Sequence, residues 1–349
     1  MPARRPLHLL VILTLCLAAL VAVGCGSDDE DSGGSGSQAT PEQKKLKVAI
    51  VTDIGGLNDR SFNQLANEGL ERAKSELGVE GRALTSKSNA DYVPNLSTLA
   101  QQQYDLVIGV GFLMADAMST VAQKFPNTNF AIIDFPQSGL KGKPANVRGL
   151  LFKEAEAGYL AGTLAGLYVK DKGGDQVISS VGGQKIPPVD AYIAGYQAGA
   201  KEANPKIETL NGYSQDFVKQ DLCKELALNQ ISEGSQVVFQ VAGQCGLGAL
   251  DAAKEQNMQG IGVDADQGYL GAHVITSALK KVDVSVFDTV KQVQDGSFKG
   301  GEDTIFDVKS GGVGLGKVSE EGAKYQEQVD QVMERISSGE LTDIPTEVK

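Results

Sequence analysis

The sequence contains few of the side chains on which common catalytic centres depend. It has two histidines and four cysteines in 349 residues. Outside the first 25 residues only His273, Cys223 and Cys245 remain, which is too small a stock for a zinc site with about four ligands. Neither G-x-S-x-G nor G-x-x-x-x-G-K-[ST] occurs, so the usual serine hydrolase and P-loop sites are excluded. We therefore expect a protein that is not an enzyme, with no catalytic residues, metal or cofactor.

Positive charge is also scarce. The chain has 32 lysines and arginines against 44 aspartates and glutamates, which gives a formal net charge of −12. Proteins that bind nucleic acid neutralise its phosphates with a basic surface, and no such surface can be built from this balance. We expect no nucleic acid partner.

A long apolar run lies at the N-terminus. Arg4 and Arg5 precede the apolar residues 7–23, and small residues then lead to Cys25. This pattern is typical of a signal peptide over residues 1–24, and its end resembles a bacterial lipobox with Cys25 as the lipidated residue. An uncleaved anchor helix is the alternative. Residues 25–45 are rich in glycine, serine and acid, which predicts a flexible lipidated linker that holds the body outside the cell membrane.

From residue 46 onward, short apolar runs alternate with amphipathic helical stretches. This alternation predicts parallel sheets flanked by helices. Residues 48–51 are typical of a strand, for example, and residues 62–77 of a helix that ends at Gly78. The same scheme repeats beyond residues 146–153, so the sequence predicts two α/β lobes.

The closing elements must cross back between the lobes. We predict strands at residues 274–277 and 304–308 among these elements. The predicted bounds are 46–148 plus 272–299 for lobe 1, and 149–271 plus 300–349 for lobe 2. Small residues along one face of the helix at 155–170 predict a tight interface between this helix and a sheet.

Aspartates recur where predicted strands end. Asp53, Asp134 and Asp264 each follow an apolar run, and open α/β sheets bind ligands at the carboxyl ends of their strands. Ionised carboxylates accept strong hydrogen bonds from hydroxyl and amide groups. Alternatively, each aspartate caps a helix or forms a turn. Asn58, Asp59 and Ser61 are expected to have such capping and packing roles.

Aromatic residues are only 6% of the chain and tryptophan is absent, so the positions of the rings are informative. Four rings follow predicted strand ends at helix starts: Phe62, Phe112, Tyr192 and Phe217. Rings from opposite lobes would stack on a planar ligand, and core packing is the alternative for each. Gly243 would allow close backbone approach to a ligand, and Lys280 is either a contact for a sugar hydroxyl or a solvated surface residue.

The two remaining cysteines can be placed relative to each other. Cys223 lies near the start of a predicted helix, and Cys245 lies just beyond the end of the following strand. Both positions fall at the same edge of an α/β layer. A disulfide between Cys223 and Cys245 is therefore plausible in an exported protein, and two free buried thiols are the alternative.

Several motifs resemble those of the basic membrane protein family of bacterial lipoproteins. This family comprises solute receptors of ABC importers, including the purine nucleoside receptor A type. The motifs are D-x-G-G-x-N-D-x-S-F-N-Q at 53–64, G-x-G-F at 109–112, E-A-G-Y-L-A-G at 156–162, G-V-D-x-D-Q at 262–267 and T-S-x-x-K at 276–280. The resemblance implies the two-lobed fold of type I periplasmic binding proteins, with hinge crossovers between the lobes.

The resemblance also implies a ligand and its contacts. The ligand would be a purine nucleoside such as adenosine, guanosine or inosine, and the partner would be the permease of an ABC importer. The purine base would stack between the rings of Phe62 and Phe217, and Asp53 would bind the edge of the base. The ribose contacts would be Asp134, Asp264, Gly243 and Lys280. The further expected ligand-binding residues are Asn63, Gly111, Phe112 and Tyr192.

The sequence departs from the family pattern at two positions. Asn67 stands where relatives often carry tryptophan, and Tyr192 stands where phenylalanine is frequent. The departure at Tyr192 leaves the selectivity for the base open. Three other functions are alternatives to a nucleoside receptor: a receptor for a sugar or another small polar solute, a surface sensor or adhesin, and an enzyme such as a nucleoside hydrolase.

Overall fold

The computed structural model describes residues 45–349. The predicted signal peptide at 1–24, the lipidation site Cys25 and all but the last residue of the linker at 25–45 lie outside this range. Within the described range, no helix combines the length and the apolar character that a membrane crossing requires.

The described chain alternates strands and helices almost throughout. The strands are β1 (Lys47–Val51), β2 (Glu80–Leu84), β3 (Leu106–Gly109), β4 (Asn129–Ile133), β5 (Val147–Phe152), β6 (Val177–Gly182), β7 (Glu208–Tyr213), β8 (Ser235–Val241), β9 (Gln259–Asp264), β10 (Val274–Lys280), β11 (Asp303–Phe306) and β12 (Val313–Leu315). The helices are α1 (Phe62–Leu77), α2 (Tyr92–Gln101), α3 (Ala115–Lys124), α4 (Glu154–Lys172), α5 (Pro187–Ala203), α6 (Gln220–Ser232), α7 (Gly243–Glu255), α8 (Val282–Gln294) and α9 (Gln326–Ser337).

These strands form two six-stranded sheets, each with helices packed on it. The first sheet has the order β11-β5-β4-β3-β1-β2, and the second has the order β12-β10-β9-β8-β6-β7. All pairings are parallel except that of β10 with β12. The chain passes between the sheets three times, after β5, after β10 and after β11. Two α/β lobes joined by several crossings were predicted, and the structure has this architecture.

The first unit shows how the sequence produces this pattern locally. Residues Val48 to Val51 are fully buried, as expected for a central strand of a parallel sheet. Helix α1 ends at Gly78, whose φ of +71° gives the left-handed conformation that glycine adopts at helix ends. At the other end, Asp59 accepts hydrogen bonds from the backbone amides of Asn63 and Gln64 at 2.7 and 3.0 Å. Asp59 therefore caps the helix that borders the site.

The predicted lobe bounds differ from the observed sheets at three strands. β5 lies wholly in the first sheet, although the predicted bound at residue 148 divides it. β10 pairs with β9 in the second sheet, although residues 272–299 were assigned to lobe 1. β11 pairs with β5 in the first sheet, although residues 300–349 were assigned to lobe 2. An apolar run identifies a strand, but its sheet is decided by pairing with distant residues.

The glycines of α4 pack on helix α5, whereas an interface with a sheet was predicted for the small residues; α4 also contacts β10 and β12 of the second sheet. A Cβ atom at Gly158 would lie 2.1 Å from the carbonyl oxygen of Tyr192, and one at Gly162 would lie 1.9 Å from that of Tyr196. The backbones of α4 and α5 therefore touch. This close packing fixes the position of Tyr192, which is fully buried and reaches the site.

Candidate ligand-binding site

A cavity lies between the two lobes, where the strands of both sheets end. It encloses about 640 Å³ of space between its walls, including the part open to solvent. The structure brings all the predicted ligand-binding residues to this cavity: Asp53, Phe62, Asn63, Gly111, Phe112, Asp134, Tyr192, Phe217, Gly243, Asp264 and Lys280. Their contact with a ligand stays a prediction.

Asp53 and Asn63 form the polar part of the first wall. Oδ1 of Asp53 accepts hydrogen bonds from the amide of Gly55 at 3.0 Å and from Nδ2 of Asn63 at 2.7 Å. Burial raises the pKa of Asp53, and these two hydrogen bonds oppose the shift. Oδ1 of Asn63 is buried and has no hydrogen-bond partner. The wall therefore contains a buried amide oxygen that is not hydrogen-bonded within the described part of the protein.

Two aromatic rings of this wall have different surroundings. Phe62, the first residue of α1, is half-buried and borders the cavity. The ring of Phe112 also borders the cavity, but it packs on Phe135 with the centroids 5.0 Å apart. Phe62 packs against the buried apolar core, whereas Phe112 pairs with a neighbouring ring. Phe62 is the ring that the family resemblance assigns to stacking on a ligand.

Phe217 enters the cavity from the second lobe on a braced loop. Its carbonyl oxygen accepts a hydrogen bond from the amide of Cys245 at 3.0 Å, and Cys245 forms a disulfide with Cys223 whose Cα atoms are 5.6 Å apart. The structure thus contains the disulfide that the sequence left open. A Cβ atom at Gly183 would lie 2.3 Å from the ring of Phe217, so this glycine makes room for the ring.

Asp264 joins the two lobes beside the cavity. Its Oδ2 accepts a hydrogen bond from Oγ of Ser61 at 2.7 Å, and its Oδ1 accepts one from the hydroxyl of Tyr192 at 3.2 Å. Nearby, Nε2 of Gln267 donates to the carbonyl oxygen of Arg60 at 3.2 Å. Burial raises the pKa of Asp264 to about 6, although Lys280 and Ser61 lower it. These contacts hold the two lobes together.

Lys280 borders the cavity and lies between two carboxylates. Its side chain is 2% exposed, and Nζ lies 2.6 Å from Oδ1 of Asp134 and 2.8 Å from Oε1 of Glu154. Burial lowers the pKa of Lys280, but the neighbouring carboxylates outweigh this effect and hold the pKa above its ordinary value. Nζ also lies 5.1 Å from the centroid of the Phe62 ring. Lys280 is therefore a buried charge, and the solvated alternative is wrong.

Asp134 and Asp264 share an unusual backbone conformation. Their φ angles are +69° and +60°, in the left-handed region that is uncommon for residues other than glycine. Asparagine and aspartate tolerate this region best, and such conformations cluster at ligand-binding and active sites. The shared conformation sets both carboxylates at strand ends beside one cavity.

Several residues of the site region were not predicted as site residues, and four of them act on the predicted ones or join the lobes. Ser61 was expected to cap or pack locally, but it bonds to Asp264 in the other lobe. Gln267, Glu154 and Gly183 act through partners that are distant in sequence. The family motifs at 53–64 and 262–267 include Ser61 and Gln267, so these two residues carried a signal. Among residues 45–349, no group of three or more His, Cys, Asp or Glu side chains is arranged to hold a metal ion.

Comparison with known sequences identifies relatives over most of the chain. The family model described as Bmp, ABC transporter substrate-binding protein PnrA-like, matches residues 46–342. An uncharacterised lipoprotein of Pyrococcus abyssi is 38% identical over 87% of this chain and 75% of its own length. The ABC transporter nucleoside-binding protein BmpA of Lactococcus lactis is 34% identical over 93% of this chain and 95% of its own length.

A solved structure supports the same assignment. The solute-binding protein of an ABC transporter system from Aeropyrum pernix superposes with a TM-score of 0.78 at 28% identity, over 86% of this chain and 94% of that chain. The predicted family and the two-lobed periplasmic binding protein fold are thereby confirmed. Members of this family are receptors that bind a transport substrate. The chain belongs to the Bmp family of PnrA-like substrate-binding proteins of ABC transporters.

Proposed function

We propose that the protein is a receptor that captures a purine nucleoside between its lobes and delivers it to the permease of an ABC importer. The observation that carries the proposal is the pair of rings, Phe62 from one lobe and Phe217 from the other, which border one cavity beside strand-end carboxylates. A planar base fits between two such rings, and stacking adds about 0.5–1.5 kcal/mol beyond area burial.

The polar groups near the rings suit the edge of a purine. Asp53 offers carboxylate oxygens, and Asn63 offers a buried amide oxygen that lacks a protein partner. Both groups accept hydrogen bonds from ring N–H or amino groups. A simple sugar has no such planar edge, so this wall favours a nucleoside. The name of the related nucleoside-binding protein from Lactococcus lactis agrees with this choice.

The remaining polar residues suit the ribose. Asp134 and Asp264 carry carboxylates that accept hydrogen bonds from hydroxyl groups, and Lys280 supplies a donor. Gly243, at a φ of +54°, begins α7 and leaves backbone space beside the cavity. In this arrangement the base lies near the rings and the sugar lies near Asp134 and Lys280.

The receptor would be held on the extracytoplasmic face of the cell membrane by a lipid on Cys25. The support is the lipobox-like sequence together with the names of relatives, several of which are called lipoproteins. The linker at 25–45 would let the two-lobed body reach the permease. Metabolic labelling with a radioactive fatty acid tests the anchor, and the variant Cys25→Ala should not be labelled.

The variant Phe62→Ala tests the nucleoside site. Loss of a buried ring and of its stacking should weaken binding by about 2–4 kcal/mol, which is roughly a 30- to 1,000-fold rise in Kd. Isothermal titration calorimetry with adenosine, guanosine and inosine measures the change, with ribose as the comparison ligand. Phe125→Ala is the matched control, because Phe125 is equally half-buried but does not border the cavity.

Two results would contradict the proposal. Unchanged nucleoside affinity in a folded Phe62→Ala protein would remove the stacking assignment. Binding of ribose with higher affinity than any nucleoside would favour a sugar receptor instead.

A further inference from the structure

Glu154 forms an ion pair with Lys280, which is one of the proposed ligand contacts. Glu154 begins α4 just after the chain leaves the first sheet, and Lys280 ends β10 just before the chain returns to that lobe. The Glu154 side chain is 8% exposed and its Oε1 accepts a hydrogen bond from Nζ of Lys280 at 2.8 Å. Asp134 and Lys280 border the ligand cavity, whereas Glu154 borders only an adjoining cavity beside the C-terminal segment, which Asp134 also lines.

The geometry divides one ammonium group between two carboxylates. Nζ lies 2.6 Å from Asp134 and 2.8 Å from Glu154, so its positive charge is shared. Without the charge of Glu154, the ammonium group would neutralise Asp134 alone. Asp134 would stay ionised, but its oxygens would be weaker acceptors, because its negative charge would be balanced by a full ion pair and hydrogen bonds strengthen with the charge on the acceptor.

We propose that Glu154 is a positioning residue that acts through Lys280 and sets how strongly Asp134 binds hydroxyl groups of the ligand. The inference rests on the proposed nucleoside function. It predicts an effect on discrimination between ligands, because Glu154 does not line the ligand cavity. A purely structural role at the crossing between the lobes would instead change the affinity of all ligands equally.

The experiment compares inosine with 2′,3′-dideoxyinosine, which lacks both ribose hydroxyls at those positions. Calorimetry is performed on the wild type and on Glu154→Gln, which keeps the size of the side chain and removes its charge. We expect the variant to bind inosine about tenfold more weakly, as expected for a weakened hydrogen bond to a charged group. Its affinity for the dideoxy compound should change less than about threefold.

Two further variants complete the test. Glu156→Gln is the matched control: it removes a carboxylate from the same helical turn, where Glu156 binds the amide of Val308 at 2.8 Å and does not contact Lys280. This control should keep the wild-type discrimination. Glu154→Asp retains the charge but moves it away by one methylene, so its discrimination should fall between those of the wild type and Glu154→Gln.

The outcomes separate the two proposals. Equal weakening of both ligands in Glu154→Gln, or unchanged discrimination, overturns the positioning role while the nucleoside function stands. If Glu154→Gln does not fold, the test rests on Glu154→Asp. The inference is then overturned if Glu154→Asp discriminates between inosine and 2′,3′-dideoxyinosine as strongly as the wild type does. A wild-type protein that binds neither compound removes the proposed function and this inference with it.

Discussion

Replacing Asp264 by asparagine tests two effects of its charge separately. One is how much the buried charge lowers the free energy of unfolding, and the other is how much it contributes to ligand affinity. Asp264 is 8% exposed, and burial raises its pKa to about 6. Its φ of +60° is tolerated by asparagine as well as by aspartate. The variant Asp264→Asn therefore removes the charge while it keeps the backbone conformation and the side-chain size.

The expected magnitude follows from the pKa. The rise from the ordinary value of 3.8 to about 6 corresponds to about 3 kcal/mol when the group is fully ionised. Because the pKa of Asp264 is higher in the folded than in the unfolded protein, protonation of Asp264 stabilises the folded state. This stabilisation is fully present below about pH 4 and is lost as the pH rises through 6. Between pH 5 and pH 7.5 this loss amounts to roughly 1–2 kcal/mol of the free energy of unfolding. Asparagine does not titrate, so the variant should gain the same amount relative to the wild type over this interval.

Urea unfolding of both proteins at pH 5, 6 and 7.5, without ligand, measures this difference. Glu154 titrates in both proteins, so its effect cancels in the comparison. Asp59 repels Asp264, so its pKa falls when the charge of Asp264 is removed, and this change has the same sign as the expected difference. The control Asp116→Asn changes an aspartate that is 82% exposed and should follow the wild type at every pH. Inosine affinity should meanwhile fall in Asp264→Asn. Parallel stability curves for Asp264→Asn and the wild type would refute the reasoning about burial, and unchanged affinity would refute the role in binding.

Two further predictions concern the loop that carries Phe217. Replacing both Cys223 and Cys245 by serine removes a cross-link between residues 22 positions apart, and the loop-entropy relation gives a loss of about 3 kcal/mol in the free energy of unfolding. An unchanged urea midpoint would contradict this. Gly183→Ala places a Cβ atom against the Phe217 ring, which must turn away, so nucleoside affinity should fall about tenfold by calorimetry at the lower end of overpacking costs. The control Gly314→Ala adds a Cβ atom with nothing within 4 Å and should bind normally; equal affinity in the two glycine variants would show that the ring does not shift.

Local patterns predicted most secondary structure and the lining of the cavity. The helix Phe62–Leu77 and its end at Gly78 match the prediction, because capping and apolar spacing act within a few residues. Asp53 and Asp134 lie together because parallel strands present their carboxyl ends at one edge of the first sheet, and Asp264 lies at the corresponding edge of the second sheet, across the same cavity. Such rules need no knowledge of distant residues.

The sequence did not predict features that depend on pairing between distant segments. The sequence pattern places residues 146–153 at the join between the two lobes. Strand β5 belongs to the first sheet because it pairs with β4 and β11. The partner of Glu154 lies 126 positions away, and that of Gln267 lies 207 positions away. A glutamate at a helix start looks like a simple cap in sequence. Only the tertiary structure shows that Glu154 is buried against a lysine.

The three passages of the chain between the sheets have a consequence for how the protein folds. The first sheet lacks its edge strand until β11 has been made, and the second lacks β12 until still later. Helix α8 also belongs on α1, where a Cβ atom at Gly69 would lie 2.4 Å from the carbonyl oxygen of Asp283. An unfinished chain therefore exposes apolar surface in both lobes at once. Contacts between such distant segments make folding slow, and neither lobe can be completed before the C-terminal strands have formed. Because the chain passes between the lobes three times, cutting it at a single point cannot separate them.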